Sequence, residues 1–264
     1  MNPREEWQLT TTHLGRRVLV FDTLDSTNTF AASLAKKFAA ALLKNPDNAG
    51  IVVLADEQTA GRGQHGRSWV CPGSAGVLMS LLLFPPPALR RPALLTAWAA
   101  VSVCETILRA TGVQAKIKWP NDVLIQGRKV CGILIEQSQG TVVGIGLNVL
   151  QDTAAFTAAG LPEAASLALF SDRQLDRYAI ARQLITELDE GYAALSQGDV
   201  GTLEACWKWR LGLLGKQVVA ECAGETHRGR LREVAFAGLE LDLVGGSVLR
   251  LAPETVRHLG EATE

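Results

Sequence analysis

The sequence predicts an α/β (α+β) protein with a mixed, mainly antiparallel sheet backed by helices, followed by a small all-β unit. Three observations carry this. Ala- and Leu-rich segments of helical texture alternate with short apolar, β-branched runs. Four strand-like runs, AKIKW (115–119), DVLI (122–125), KVCGILIE (129–136) and TVVGIGLNV (141–149), follow one another with only turn signals such as Gln126-Gly127 and Gln139-Gly140 between them. Hairpins that tight must be antiparallel, which argues against a purely doubly wound sheet. From about Leu211 the texture changes to short alternating strands (KQVVAEC, HRGRLREVA, LELDLV, SVLRLAP) with glycine turns. That pattern suits a small barrel of about fifty residues.

In chain order, Asn28 to Leu43 reads as a helix, capped by a short polar residue after Asp25 and Ser26 and stopped by the run Asn45 to Gly50. IVVLA (51–55) reads as a buried strand, and a loop crowded with Gly and Arg follows it. GVLMSLLLF (76–84) reads as a strand ended by Pro85 to Pro87, and Pro92 to Ala110 as an amphipathic or buried helix. Residues 176–209 read as helical, ending in CWKWR. The expected units are 1–211 and 212–264.

Twenty-six Lys plus Arg against 27 Asp plus Glu give no basic excess of the kind that nucleic acid or an anionic membrane attracts. Five scattered cysteines lack the spacing of a zinc site or a disulfide framework and read as reduced and mostly buried. The start, MNPREEW, is polar and acidic, and the run Val77 to Phe84 is too short to span a bilayer, so the expected compartment is the cytoplasm, without a membrane.

The loop GRGQHG (Gly61 to Gly66) has the G-x-G-x-x-G spacing of dinucleotide sites, but RSWVCPGSAG follows it where that fingerprint needs a helix. An anion-binding loop, with backbone N–H groups and Arg62 and Arg67 facing a phosphate, is the better reading. It belongs to a larger set: DSTN (25–28), DEQTAGRGQHGRSW (56–69), KWPNDV (118–123), RKVCGILIE (128–136) and GIGLNV (144–149). In this order and at these spacings the set resembles the biotin protein ligases, from about Leu14 to Leu259. The resemblance implies a catalytic domain like that of class II aminoacyl-tRNA synthetases, followed by an SH3-like barrel. It also implies ATP and biotin as substrates and a biotin carboxyl-carrier protein as partner. No His or acidic cluster has metal-ligand spacing, so magnesium is expected to arrive with ATP and keep its waters.

Biotin's ureido ring offers two N–H donors and a carbonyl in fixed geometry, so its pocket needs short hydroxyls and an amide, which play both roles. Ser26, Thr27, Asn28 and Gln58 are such groups, and Ser26 to Asn28 also suit a helix N-cap. By resemblance, these residues and the backbone around Gly61, Arg62 and Gly63 contact the ring, with Gln64, Lys129 and Gly132 completing the biotin site. Joining the biotin carboxylate to the α-phosphate brings two anions together, so cations must face them. Arg62 and Lys129 fill that role by resemblance, with Arg67, Trp69 and Asn148 toward the nucleotide and Gly132, Gly144 and Gly146 as positions of close backbone approach. Asp122 is placed to orient the attacking carrier lysine or take its proton. Trp69 and Trp119 either wall the apolar slot for the thiophane ring or pack in the core.

Two departures from the family stand out. Only 25 residues precede Ser26, too few for the DNA-binding module of many members, so no DNA binding is expected. Gln64 stands where the glycine loop commonly has a second arginine. The rivals are a lipoyl or octanoyl ligase, whose slot would be apolar, a non-catalytic biotin sensor, and a nicotinamide oxidoreductase. A homodimer through an exposed edge strand stays open.

Overall fold

A computed structural model describes residues 2–38 and 49–262 of the 264-residue chain. Among them the chain opens with two strands that no period marks in the sequence, β1 (Glu5–Gln8) and β2 (Arg17–Leu24). β2 is covered on both faces, so its run RVLVF shows no alternation to read. Helix α1 (Thr27–Phe38) follows, and the rest of the helix expected to Leu43, with most of its stop signal, lies outside the described residues. Then come β3 (Val52–Gln58), β4 (Gly76–Leu83) and α2 (Pro92–Thr111). The four rapid strands are β5 (Lys116–Lys118), β6 (Asp122–Ile125), β7 (Arg128–Gln137) and β8 (Thr141–Asn148). A short α3 (Thr153–Ala158) leads to α4 (Arg177–Ser196) and α5 (Val200–Leu211).

The region expected to be helical from 176 to 209 is therefore two helices. Gly198 takes φ +90°, and Asp199 then caps α5 by accepting from the Thr202 N–H at 3.1 Å, so a stop and a new start lie side by side.

The first eight strands form one sheet in the order β1-β2-β3-β4-β8-β7-β6-β5. Only β2 and β3, joined through α1, run parallel. The mixed, mainly antiparallel sheet matches the sequence expectation. The Gln126-Gly127 turn between β6 and β7 has φ of +49° and +82°, the left-handed pair that a tight hairpin requires.

Alternate residues of the sheet feed two layers. Leu19, Phe21, Val53 and Leu82 pack under α1 with Ala31 and Ala35. Val18, Val20, Leu54, Met79 and Leu81 face the other way, into the core that holds α2 and α4. Helix α2 is long and apolar enough to cross a membrane, but most of it is buried against the sheet, α4 and α5. Cys104 and Cys131 are buried, whereas Cys71, Cys206 and Cys222 are half-buried, so the cysteines are less enclosed than expected; all are free thiols.

The last strands are β9 (Gln217–Cys222), β10 (Glu225–Ala235), β11 (Gly238–Asp242), β12 (Val248–Leu251) and β13 (Val256–Glu261). They form an antiparallel sheet in the order β12-β11-β10-β9-β13. It packs onto the first sheet through aromatic contacts: Trp207 stacks on Phe236 at 4.9 Å, and Trp119 meets Trp207 at 5.7 Å. The Trp119 Nε1–H also donates to the Val256 carbonyl at 2.8 Å.

Candidate functional site

On the face of the large sheet that α1 covers, β7 and β8 carry glycines where other strands carry side chains. Gly132 pairs with Gly146, and Gly144 lies between Ser80 of β4 and Leu134 of β7. The space they leave is taken by protein. A Cβ on Gly146 would meet the Trp69 indole at 2.3 Å, one on Gly132 would meet it at 2.8 Å, and one on Gly144 would meet Asn28 Oδ1 at 2.1 Å. The close approach expected of a nucleotide at these glycines is thus made by Trp69 and Asn28. Beyond them opens a cavity of about 600 Å³, within the range of small-ligand sites, roughly 300–1,000 Å³.

One end of the cavity is polar and largely buried. Ser26, Thr27 and Asn28 are 2%, 3% and 4% exposed, and they open α1: the Ser26 carbonyl accepts from the Phe30 N–H. Gln58 Oε1 accepts both from the Thr27 N–H at 2.7 Å and from the Thr27 hydroxyl at 3.0 Å. These two bonds fix the Gln58 amide and leave its Nε2 for something else. Ser80, buried in β4, sets its hydroxyl 2.7 Å from Thr27 Oγ1 and 2.6 Å from Asn28 Oδ1. The Ser26 hydroxyl makes no hydrogen bond among the described residues and lines the cavity.

The other end is cationic. The glycine loop is a hairpin in which Arg62 bridges to Ser68, Gly63 N–H donates to the Arg67 carbonyl at 2.7 Å, and Trp69 N–H to the Gly61 carbonyl at 3.0 Å. His65 at its tip takes φ +56° beside Gly66 at +75°. No helix opens after Gly66, as expected; a short 3₁₀ turn (Pro72–Ser74) precedes β4. Because the hairpin consumes the N–H groups of Gly63, Arg67 and Trp69, the anion-binding expectation passes mainly to side chains. Arg62 Nη2 donates to Glu136 Oε1. Lys129 Nζ lies 2.7 Å from Asp122 Oδ1 and 5.6 Å from the Trp69 ring centroid. Arg67, Lys118 and Arg257 line the cavity and form no ion pair among the described residues.

Asp122 reaches the site because the KWPND turn is tied to β7. Asn121 Nδ2 donates to the Ile133 carbonyl at 2.7 Å, and Ile133 N–H returns a bond to the Asn121 carbonyl at 3.0 Å.

The structure gathers Ser26, Thr27, Asn28, Gln58, Arg62, Gly63, Gln64, Arg67, Trp69, Asp122, Lys129 and Gly132 around this one cavity. Two expected site residues stand apart from its lining. Gly61 closes the hairpin base, and buried Asn148 donates to the Ala165 carbonyl at 3.1 Å, bracing the loop after α3. Trp69 lines the cavity with Nε1 buried and unbonded among the described residues. Trp119 shows the cavity one edge but is 5% exposed and belongs chiefly to the junction of the two sheets.

Sequence reading missed Ser80 and Glu136, and the cavity residues Lys118, Glu221, Arg257 and His258. Ser80 had a signal, a lone hydroxyl inside the apolar run GVLMSLLLF. The last three come from β9 and β13, and nothing near them in the chain points to this cavity. Among the described residues no three His, Cys, Asp or Glu side chains group to hold a metal ion.

A buried polar end and a cation-lined end in one cavity define a site for a small molecule with a polar head and an anionic tail. Residues 20–152 match the model of the biotin/lipoate A/B protein ligase family. The chain is 32% identical over 250 residues to the bifunctional ligase/repressor BirA of Bacillus subtilis, covering 92% of this chain and 71% of that one. It is 33% identical over 217 residues to the biotin--[acetyl-CoA-carboxylase] ligase of Mycobacterium tuberculosis, covering 80% and 79%. In fold it resembles the biotin protein ligase from Aquifex aeolicus solved with biotin and ATP, with a TM-score of 0.74 at 23% identity over 93% of this chain and 99% of that one. The chain belongs to the biotin/lipoate A/B protein ligase family.

Proposed function

We propose that this chain is a biotin protein ligase that converts biotin and ATP to biotinyl-5′-AMP and transfers biotin to a lysine of a carboxylase carrier domain. The observation that carries this reading is the two-ended cavity. At one end the free Ser26 hydroxyl and Gln58 Nε2 are donors for a ureido carbonyl, while hydroxyl oxygens are acceptors for its N–H groups. A lipoyl or octanoyl chain would leave these buried groups unpaired, at a cost of about 1–3 kcal/mol each. At the other end Arg62 and Lys129, with Arg67 nearby, neutralise the biotin carboxylate and the α-phosphate as they are brought together. Magnesium would arrive with the nucleotide and offset phosphate charge, since no cluster of three His, Cys, Asp or Glu side chains among the described residues is built to hold it.

The Lys129–Asp122 pair links the two half-reactions. Before substrate binds, the two charges satisfy each other at 2.7 Å. The anionic intermediate draws Lys129 away, and Asp122 is left to orient the incoming carrier lysine and accept its proton, so that a neutral amine attacks the acyl carbon and AMP leaves.

The reading extends to the architecture: residues 1–211 as a catalytic domain of the class II aminoacyl-tRNA synthetase type, and 212–264 as an SH3-like barrel that lends Glu221, Arg257 and His258 to the mouth. It also places the protein in the cytoplasm, away from membranes, acting without sequence-specific DNA binding. The repressor half of the Bacillus relative's name is not carried over, and self-association through a sheet edge is compatible with the fold. The test is incubation with biotin, ATP, magnesium and a carrier domain, read as biotin covalently bound to the carrier. Labelling that disappears when the carrier lysine is replaced supports the reading; a carrier left unlabelled by active, folded protein overturns it.

A further inference from the structure

Glu136 lies outside the cavity lining yet holds two residues that line it. One carboxylate oxygen accepts from Asn28 Nδ2 at 2.8 Å and the other from Arg62 Nη2. Asn28 stands at the start of α1 and Arg62 in the glycine hairpin, so one carboxylate ties two separate elements together. The carboxylate is 30% exposed and reaches up from β7, the strand that also carries Lys129 and Gly132.

An ionised carboxylate can only accept hydrogen bonds, and this decides what it does to Asn28. Asn28 sits over bare Gly144 with its Oδ1 toward the Ser80 hydroxyl, and a hydroxyl tolerates either amide orientation. Glu136 removes that freedom by demanding the NH₂ group, so Oδ1 must face Ser80. Arg62 gains equally. Its side chain is half-exposed on a loop with a left-handed tip, and a charged partner on a rigid strand restrains its direction.

We propose that Glu136 is a positioning residue of the ligase reaction: a single carboxylate sets the Asn28 amide, on α1, and the Arg62 guanidinium, on the glycine hairpin, in fixed relation. The inference rests on the proposed ligase activity. It assigns Glu136 two separable effects, on recognition of the ring through Asn28 and on the activation step through Arg62.

The experiment is biotin-dependent ATP–pyrophosphate exchange by wild type, Glu136→Gln, Arg62→Ala and the double variant, with Tm measured for each. Wild-type exchange is the control, since its absence would sink the ligase reading itself and not this assignment. Glutamine keeps the shape but loses the charge and can present its NH₂ to Asn28. Expected for Glu136→Gln is a rise in the KM for biotin and a fall in kcat, each about tenfold, the scale of one charge-assisted hydrogen bond, with an unchanged Tm. In the Arg62→Ala background the same change should still raise KM but no longer lower kcat, because the guanidinium it positioned is gone. Wild-type KM and kcat for Glu136→Gln overturn the proposal. So does a kcat loss that persists in full in the Arg62→Ala background, or a lowered Tm with KM and kcat falling together.

Discussion

Lys129→Ala and Asp122→Asn separate the two half-reactions. Lys129 Nζ is 2.7 Å from Asp122 Oδ1, its side chain is 37% exposed, and no other lysine lies on the RKVCGILIE strand. Lys129 is the cation that β7 itself contributes to the cavity lining, and Arg67, Lys118 and Arg257, without ion pairs among the described residues, reach the cavity from other elements, so they compensate its loss only in part. Losing such a charge at the reacting centre costs about 2–4 kcal/mol of barrier, roughly thirty- to nine-hundred-fold in adenylate formation. Asp122→Asn works differently. A partly exposed ion pair is worth at most about 1 kcal/mol, so freeing Lys129 changes activation by no more than about fivefold. Transfer should fall by about 10²- to 10⁴-fold, the usual contribution of a positioned proton acceptor. Pyrophosphate exchange reads the first step, and single-turnover transfer from preformed biotinyl-AMP to a carrier domain reads the second. Near-wild-type exchange by Lys129→Ala would refute the charge argument, and full-speed transfer by Asp122→Asn would refute the separation.

Gly146→Ala brings a Cβ to within 2.3 Å of the Trp69 indole and should displace that ring, raising the KM for ATP or biotin while the fold survives; titration of Trp fluorescence with each ligand checks it, and unchanged affinity for both contradicts it. Gln64→Arg adds a cation to the cavity lining and should slow release of preformed biotinyl-AMP by about tenfold or more in stopped flow; unchanged release means that Arg67 or His65, which line the same cavity, already supply the charge. Asp56 concerns stability: burial disfavours its charge, but hydrogen bonds from Arg177, Tyr178 and Arg4 outweigh this and hold the carboxyl below its ordinary value of 3.8. A depressed folded-state pKa gives stability that is present above the unfolded value and lost as pH falls through the folded one. Asp56→Asn should therefore lower Tm at neutral pH and flatten its decline in acid, and parallel Tm–pH curves for variant and wild type would contradict this.

Much of the site was legible because its chemistry sits in short local runs. DSTN, the glycine loop and RKVCGILIE each carry residues whose types declare their use, and the β6–β7 hairpin is announced by Gln126-Gly127, which takes the left-handed φ. What stayed hidden depends on distance in the chain. β2 shows no period because both of its faces are buried, and the α4–α5 break needs only Gly198-Asp199 inside an otherwise helical stretch. Glu136 looks like the solvated end of a strand until the hairpin, 74 residues earlier, sets Arg62 against it. Arg257 and His258 reach the cavity only through the docking of the second sheet, which rests on Trp119, Trp207 and Phe236. Asn148 lies in a motif beside the site, yet it braces the backbone at Ala165.

The central claim is that the polar end of the cavity reads a ureido ring while the cationic end joins a carboxylate to the α-phosphate. ATP–pyrophosphate exchange by the intact chain, run in parallel with biotin, lipoate and octanoate, tests it most directly. The account predicts exchange with biotin and none above background with either lipoate or octanoate; exchange that prefers lipoate or octanoate, or that is absent with all three, would contradict it.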